Sequence, residues 1–596
     1  MGQEACSLMK MMANLSDAWR NAEWSADSRH ASPRVEPAWV EQATWAFVAL
    51  GLLTRLVRYL VMYPLWHDEA FVAVNFLDRG FLDLLRPLDY QQVAPAGFLW
   101  IELLAVRVLG FAEWSLRLFP IVCGLASVLV FHRLSGRLLE GKARLAAVAI
   151  FAVSFYPIRH AAEVKPYAGD LLASLVLLTL AAEWLHGPRR SRFLWMMAAL
   201  APGLMAVSYP AVLVGSGLAL AIGMKAVHSD LARVRLAFAV YCVVLIASFL
   251  ALYFGATYAQ SEAVRVFYRE GYWRDAFPPW DRPWLVPFWL IGVHAGTTLS
   301  YPVGGERGAS LATLIACVWG ARVLWQGGRR QTLALLLAPL GMGLVAASLG
   351  RYPYGGAPRL TQYLAPTFCL LAGVGAVGLL ERLGRPELVN RGPRMALGVM
   401  ALLGGFVISG DVARPYRVIG DQRTRDFARW FWTDFAQGPA LVCVKDDLGL
   451  SYESRPNLWR SGMSAVYLCH RAMFATSRER IKHSSISAGG ASRPFRLVFF
   501  DEIPRTDPAI GFWLARLERT HSLGGPLEFT IAPGKPGEPW LRDRYLVLPV
   551  EPRAIAVSRR DDTQDDGVNS TRQRPAPSPD PSRLARSTSE SRVAPR

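Results

Sequence analysis

The chain has 596 residues, of which 52% are hydrophobic and 19% charged, with 20 Trp and 28 Phe and a mean hydropathy of +0.22. This composition excludes an ordinary soluble enzyme and points to a polytopic membrane protein with some soluble mass. The formal net charge of +18 comes from short basic loops and the tail, and no soluble stretch interleaves Lys and Arg with aromatics, so nucleic acid is excluded as a partner.

The first 43 residues are polar and lack the basic, apolar and small-residue order of a cleavable signal, so the first span is expected to remain as an anchor. Crossing a hydrocarbon core takes about 20 apolar residues. Eleven segments meet or approach that length, at 44–64, 115–137, 143–158, 167–186, 192–207, 209–226, 234–256, 309–326, 331–349, 358–381 and 393–411. Two further apolar stretches, Pro95 to Gly110 and Trp284 to Ser300, are assigned to the outer surface. With both outside, the clusters at Arg137, Lys142 and Arg144, at Arg189 and Arg190, at Lys225 and Arg233, at Arg329 and Arg330, and at Arg382 and Arg385 share one side, as the positive-inside rule requires. The reading is therefore a multi-pass protein of the cell (inner or plasma) membrane, with a cytoplasmic amino terminus and an extracytoplasmic carboxy-terminal region.

Four outer loops follow, at 65–114, 156–170, 256–308 and 350–358. Beyond the last span the pattern changes to short strands at 441–444, 496–500 and 544–548, with amphipathic helices at 421–435 and 508–520. That alternation predicts a small extracytoplasmic α/β domain over 416–552. From 553 to 596, Pro, Ser, Arg and Asp dominate, and a disordered tail is expected. The fold class is thus mainly α: a membrane helical bundle of about eleven spans with a small carboxy-terminal α/β domain. Cys443 and Cys469 both fall in that domain, and whether they pair is open.

Where the chain leaves the first span it carries Trp66-His67-Asp68-Glu69-Ala70. Ionised carboxylates at a lipid boundary are costly to desolvate, which favours a role in binding, proton transfer or cation holding over a solvated helix cap. The third span is followed by Tyr156-Pro157-Ile158-Arg159-His160-Ala161-Ala162-Glu163-Val164-Lys165-Pro166-Tyr167-Ala168-Gly169-Asp170, on the same face by the loop-charge argument. An acceptor hydroxyl needs a base and a phosphate leaving group needs Arg or Lys, so this mixture suits transfer from a lipid phosphate. Local salt bridging at a helix entrance is the plainer alternative for Glu163, Lys165 and Asp170.

The order of these two motifs with Gln92-Val93-Ala94-Pro95-Ala96-Gly97-Phe98-Leu99-Trp100, Glu113-Trp114-Ser115-Leu116-Arg117 and Tyr352-Pro353-Tyr354-Gly355-Gly356-Ala357-Pro358-Arg359 resembles the polyprenyl-phosphate-sugar-dependent transferases of the glycosyltransferase C fold. These include the family 39 protein O-mannosyltransferases, the aminoarabinose transferases and the rhizobial core galacturonosyltransferases. The resemblance covers residues 44 to 411. It implies Asp68 as the catalytic carboxylate, with Glu69 and Glu163 as further acidic positions. His160, Lys165 and Arg359 are implied to hold the donor phosphate, with Tyr167 and Asp170 at the substrate. A snorkelling helix-end cation for Arg359 and an interface aromatic for Tyr167 remain alternatives. One departure concerns metal. Where the aminoarabinose transferases have a Glu-Lys pair, this chain has Val93-Ala94, so their metal does not carry over; a divalent ion on Asp68, Glu69, Glu163 and His160 is left open.

The resemblance implies an inverting glycosyltransferase with Asp68 as base. Its partners would be a polyprenyl-phosphate sugar donor, a lipid, glycan or protein acceptor, and membrane lipids. A transporter or flippase is the alternative, favoured by Arg55 and Arg58 within the first span; a scaffold whose outer domain binds a partner is a third reading.

Overall fold

In the computed structural model, residues 37–553 are described, apart from 188–190, 267–270, 272, 383–385, 436–439, 443–457, 476–493, 501–513, 516 and 532–543. The expected tail, most of the 508–520 helix and Cys443 lie outside the described residues. The helices that build the bundle are α1 (Ala38–Leu60), α4 (Leu118–Leu138), α5 (Gly141–Val153), α7 (Tyr167–His186), α8 (Arg192–Val207), α9 (Ala211–Val227), α10 (Ala232–Leu252), α12 (Leu311–Gln326), α13 (Arg330–Ser348), α14 (Ala365–Arg382) and α15 (Pro386–Ala413). All eleven expected segments are therefore helical. Seven helical stretches are long and apolar enough to span a membrane, and α8, α9 and α12 are shorter apolar helices. The chain is a multi-pass membrane protein.

Three boundaries differ from the sequence reading. The first helix starts at Ala38, with Pro37 immediately before it, a position where a missing N–H costs nothing. The segment expected at 143–158 divides into α5, of 13 residues, and α6 (Phe155–His160). Pro157 cannot donate to the Val153 carbonyl, and Ser154 turns extended while its Oγ donates to Ile150 O at 2.6 Å, so the helix stops there. The two outer apolar stretches form α3 (Ala96–Leu109) and α11 (Val286–Ala295), with 14 and 10 residues. Both are too short to span.

At the hub is α7, with 89% of its most apolar window buried, while α15 is peripheral at 11%. The α12–α14 contact is made by small residues. A Cβ on Gly375 would run into the Ala316 carbonyl, and one on Gly320 into the Leu371 carbonyl. Close backbone approach of this kind drives helix association where lipid removes the hydrophobic contrast. Arg55, fully buried in α1, donates through Nη1 to Gly51 O and Ala152 O at 2.8 and 3.2 Å and lies over the Phe151 ring. It ties α1 to the carbonyl end of α5.

Outside the bundle, α16 (Ile419–Arg429) runs into a π-helical turn at Trp430–Phe435 and is followed by α17 (Leu458–Phe474), which the sequence reading did not assign. The strands are β1 (Ala440–Val442), β2 (Phe495–Phe500), β3 (His521–Leu523), β4 (Leu527–Thr530) and β5 (Arg544–Pro552). Their order is β1-β2-β5-β3, with β4 also on β5; only β1 and β2 are parallel. Phe427 stacks on Tyr545 at 4.1 Å between centroids, joining α16 to the sheet. On its other side α17 packs Ala465, Val466 and Cys469 into the same core as Ala70, Phe71 and Ala73 of the Trp66 motif, and Cys469 is a free, buried thiol.

Gly375→Val should lower the stability of the detergent-solubilised protein by at least about 1–3 kcal/mol, the usual cost of overpacking. Gly398→Ala, with nothing within 4 Å of its Cβ, should leave it unchanged or raised. Thermal melting read by size-exclusion fluorescence compares the two.

Candidate active site

Helix α2 (His67–Ala73) opens immediately after the first span leaves the bundle, with Asp68 and Glu69 in its first turn. Adjacent residues on a helix diverge by about 100°, so the two carboxylates face different neighbours. Glu69 points inward and is 1% exposed. Its Oε1 accepts from Arg117 Nε at 2.9 Å and from Val164 N–H at 2.8 Å, and its Oε2 accepts from Arg117 Nη2 at 2.6 Å. Arg117 also donates to Tyr63 O. Burial alone would lower the Arg117 guanidinium, but the Glu69 carboxylate outweighs it and raises it above its ordinary value. Burial raises the Glu69 carboxyl against the pull of Arg117, and the bidentate contact, with the Val164 N–H, fixes the start of α2 to the start of α4 and to the 163–165 turn.

Asp68 is half-buried and meets two cations from distant parts of the chain. Lys165 Nζ stands 3.1 Å from Oδ1, and Arg359 Nη1 2.9 Å from Oδ2. Burial would raise the Asp68 carboxyl, but Lys165 and Arg359 outweigh it and hold it below the ordinary aspartate value. Lys165, also buried, donates to Gln92 Oε1 at 2.8 Å. Burial lowers its ammonium against the pull of Asp68. Arg359 arrives through a turn in which Gly355 and Gly356 take φ of 85° and 73° before Pro358 opens a short 3₁₀ helix. Side chains rarely adopt that region, which accounts for the glycine pair. The Arg359 guanidinium lies over Trp273, 5.2 Å from the ring centre, so residues from four widely separated stretches of the chain meet here.

Glu163 binds Arg159 Nε at 2.6 Å and His160 Nδ1 at 2.8 Å. Burial works against its ionisation, but His160 and Arg159 keep it well below the usual carboxylate range. The shared proton therefore stays on His160 Nδ1, and burial disfavours a second one on the ring. Tyr167, at the start of α7, sets its ring edge-on to His160 at 5.0 Å. Asp170 lies one turn further into α7, buried, within electrostatic reach of Tyr209, Tyr352 and Tyr363. It is grouped with those tyrosines and not with the ion pairs around Asp68.

Thus Asp68, Lys165 and Arg359 meet directly. Glu69 and Glu163 flank them, each engaged by its own cation, and Asp170 stands apart. The sequence reading missed the partners: Arg117 as the mate of Glu69, Arg159 as the mate of Glu163, and Gln92 under Lys165. Arg117 and Arg159 lie inside motifs that were singled out, but nothing in their spacing identifies what each will pair with. Among the described residues no group of three or more His, Cys, Asp or Glu converges to hold a metal ion. Since Asp68, Glu69 and Glu163 are each turned to a different base, the set does not fit a divalent ion.

Behind α2, Glu113 accepts from Leu65 N–H at 3.1 Å and from Arg425 Nη1 of α16 at 3.0 Å. Arg58, near the end of α1, pairs with Asp411 near the end of α15 at 2.6 Å, and Tyr63 donates to the same Asp411 oxygen. The exits of the first and last spans are thereby tied together beside the site.

Residues 93–254 match the family model described as dolichyl-phosphate-mannose-protein mannosyltransferase. That stretch runs from the entrance of α3 to the end of α10 and contains Arg117, Glu163 and Lys165. The match and the motif resemblance thus point to the same class of membrane glycosyltransferases. No curated protein matches the chain. Among solved structures, ArnT from Cupriavidus metallidurans bound to undecaprenyl phosphate is similar, with 13% identity, 84% of this chain and 97% of that chain covered, and a TM-score of 0.47. The Archaeoglobus fulgidus oligosaccharyltransferase in complex with Zn and sulfate is similar at 12% identity, over 81% of this chain and 72% of that chain, with a TM-score of 0.43.

Arg117→Met should strand Glu69 as a buried unpaired charge and destabilise the protein by about 3–5 kcal/mol, and a second change, Glu69→Gln, should recover part of that loss. Melting temperatures of the two single variants and the double variant in detergent measure the coupling.

Proposed function

We propose that the protein is an integral membrane glycosyltransferase that moves a sugar from a polyprenyl-phosphate donor to a hydroxyl of a lipid, glycan or protein acceptor on the extracytoplasmic face. The observation that carries this reading is Asp68 held between Lys165 and Arg359, a carboxylate and two phosphate-binding cations meeting at the exits of the helices. The family match over residues 93–254 supports the same class. The orientation draws support from α4, which leads from Arg117 at the site to the basic cluster at Arg137, a distance of about 30 Å at 1.5 Å per residue.

In this reading the donor enters from the bilayer and its phosphate takes over Lys165 and Arg359. Asp68 loses its two cations to the phosphate, which raises its basicity at the moment it is needed. The acceptor O–H gives its proton to Asp68, and its oxygen bonds to the anomeric carbon. The bond from that carbon to the phosphate oxygen breaks, with the electron pair leaving on the polyprenyl phosphate. Attack opposite the leaving phosphate inverts the anomeric centre. Lys165 and Arg359 stabilise the charge that develops on the leaving group. Glu69 and Glu163, taken from the resemblance as catalytic positions, have their oxygens occupied and are assigned to positioning: Glu69 sets Asp68 through α2, and Glu163 sets Arg159 and His160. No step passes through a metal.

The alternative, a transporter or flippase, rested on arginines inside the first span. Arg55 bonds to two backbone carbonyls and Arg58 to Asp411, which accounts for both without a transport path. Solute uptake into proteoliposomes without sugar transfer would favour that alternative.

Purified protein incubated with a panel of polyprenyl-phosphate sugars and a membrane acceptor fraction, followed by mass analysis of the products, tests the assignment. Asp68→Asn should lower transfer by at least about 100-fold, the range for loss of a general base. Wild-type rates in Asp68→Asn would sink its role. Since Lys165 and Arg359 hold the free-enzyme Asp68 carboxyl below its ordinary value, the acid limb of kcat/KM should lie below the range of an ordinary aspartate.

A further inference from the structure

The segment between α15 and α16 places Arg417 over the indole of Trp66, its guanidinium carbon 3.5 Å from the ring centre. Trp66 is buried at 7% exposure, whereas Arg417 is exposed. Five cations around the Trp66 motif are held by carboxylates: Arg117 by Glu69, Arg159 by Glu163, Arg58 by Asp411, and Lys165 and Arg359 by Asp68. Among the described residues Arg417 makes no ion pair or hydrogen bond; the ring contact is its interaction. The acids within its electrostatic reach are Asp421, Glu163 and Asp68, and the strongest charge acting on it is the like charge of Arg159. Glu163 and Asp68 are engaged as described, and Asp421 faces the Val418 N–H at the start of α16. A stacked guanidinium is pre-ordered and its donors remain free.

Arg417 also forms one wall of a cleft whose polar lining is Arg58, Tyr63, Trp66, Glu69, Arg117 and Glu163. Lys165 and Arg359 do not line it. The lining of the cleft is therefore distinct from the pair of cations assigned to the donor phosphate. Of its three guanidinium groups, Arg58 and Arg117 are paired with Asp411 and Glu69, so the positive charge at this wall is that of Arg417, and a stacked guanidinium with free donors selects anionic oxygen.

We propose that this cleft binds an anionic group, phosphate or carboxylate, carried by the acceptor, with Arg417 as its principal ligand. Two observations favour the acceptor over the donor. Trp66, His67 and Asp68 are consecutive, so a group held over Trp66 brings the rest of its molecule next to the base, where the attacking hydroxyl must be. Arg417 also follows the last span, outside the bundle, whereas a polyprenyl chain holds the donor in the bilayer. The substrate class that results is an acidic glycan or glycolipid. The inference rests on the reading of the Asp68 cluster as the transfer site, and its test separates the two.

The full-length protein in phosphatidylcholine nanodiscs, saturated with undecaprenyl phosphate to occupy Lys165 and Arg359, is titrated with inorganic phosphate by calorimetry. Wild type should bind phosphate, Arg417→Gln should bind it at least about ten-fold more weakly, a loss of about 1.4 kcal/mol, and Arg417→Lys should fall between them. Lys165→Met should keep the phosphate site while losing affinity for undecaprenyl phosphate. Unchanged phosphate affinity in Arg417→Gln would overturn the proposal. So would loss of the site on saturation with undecaprenyl phosphate, which would place Arg417 with the donor. Loss of phosphate binding in phosphatidylglycerol nanodiscs would assign the cleft to bilayer headgroups and overturn the acceptor assignment. Failure of the transfer-site reading itself appears separately, as undecaprenyl phosphate affinity that Lys165→Met does not change.

Discussion

The buried pair of Glu69 and Arg117 is the constraint on which the rest of the outer face depends. A fully desolvated carboxylate is tolerated only when its oxygens are satisfied, and here two guanidinium nitrogens of Arg117 and the backbone N–H of Val164 do so. Because Glu69 also takes the Val164 N–H, the same carboxylate that anchors α2 holds the turn bearing Lys165. Asp68 and Lys165 are thereby brought to 3.1 Å by a residue that touches neither side chain. One rigid pair thus sets the geometry of a cluster whose other members come from loops.

Around that anchor the outer face is built as nested ion pairs with one acid per cation: Glu113 with Arg425, Glu163 with Arg159, and Asp411 with Arg58. The first and third of these ties join elements distant in sequence, whereas Glu163 and Arg159 are neighbours on the chain and brace their own turn. The segment after the last span is part of this assembly. Its α16 supplies Arg425, its α17 packs beneath α2, and the link between α15 and α16 supplies Arg417, stacked over Trp66. In the proposed reading, that stacked cation gives the segment a part in acceptor binding as well as in supporting α2.

Much of the architecture was legible in the sequence because its signals are local and strong. Apolar length marked the seven helical stretches long enough to span and the shorter α8, α9 and α12, and the two stretches read as surface helices are short, at Ala96–Leu109 and Val286–Ala295. The errors fell where a local interruption decides the outcome. Pro157 and Ser154 divide one expected span, and α17 was missed although Ala465, Val466, Cys469 and Met473 recur at helical spacing. That segment is amphipathic and not uniformly apolar, so it reads weakly beside neighbours that span a bilayer.

The sequence by itself determined a mainly helical membrane protein, the two acidic motifs and the short list of cations among which a site had to be found. It could not determine which acid each cation would meet, because partners such as Asp68 and Arg359 are 291 residues apart and charge pairing leaves no periodic trace along a chain. Only the tertiary structure decided that Glu69 faces inward while its neighbour Asp68 meets Lys165 and Arg359, that Asp170 lies apart, and that Arg417 belongs to the group. The reason is geometric: the roughly 100° step between successive helical residues sends adjacent carboxylates into different surroundings, and burial then assigns each its partner.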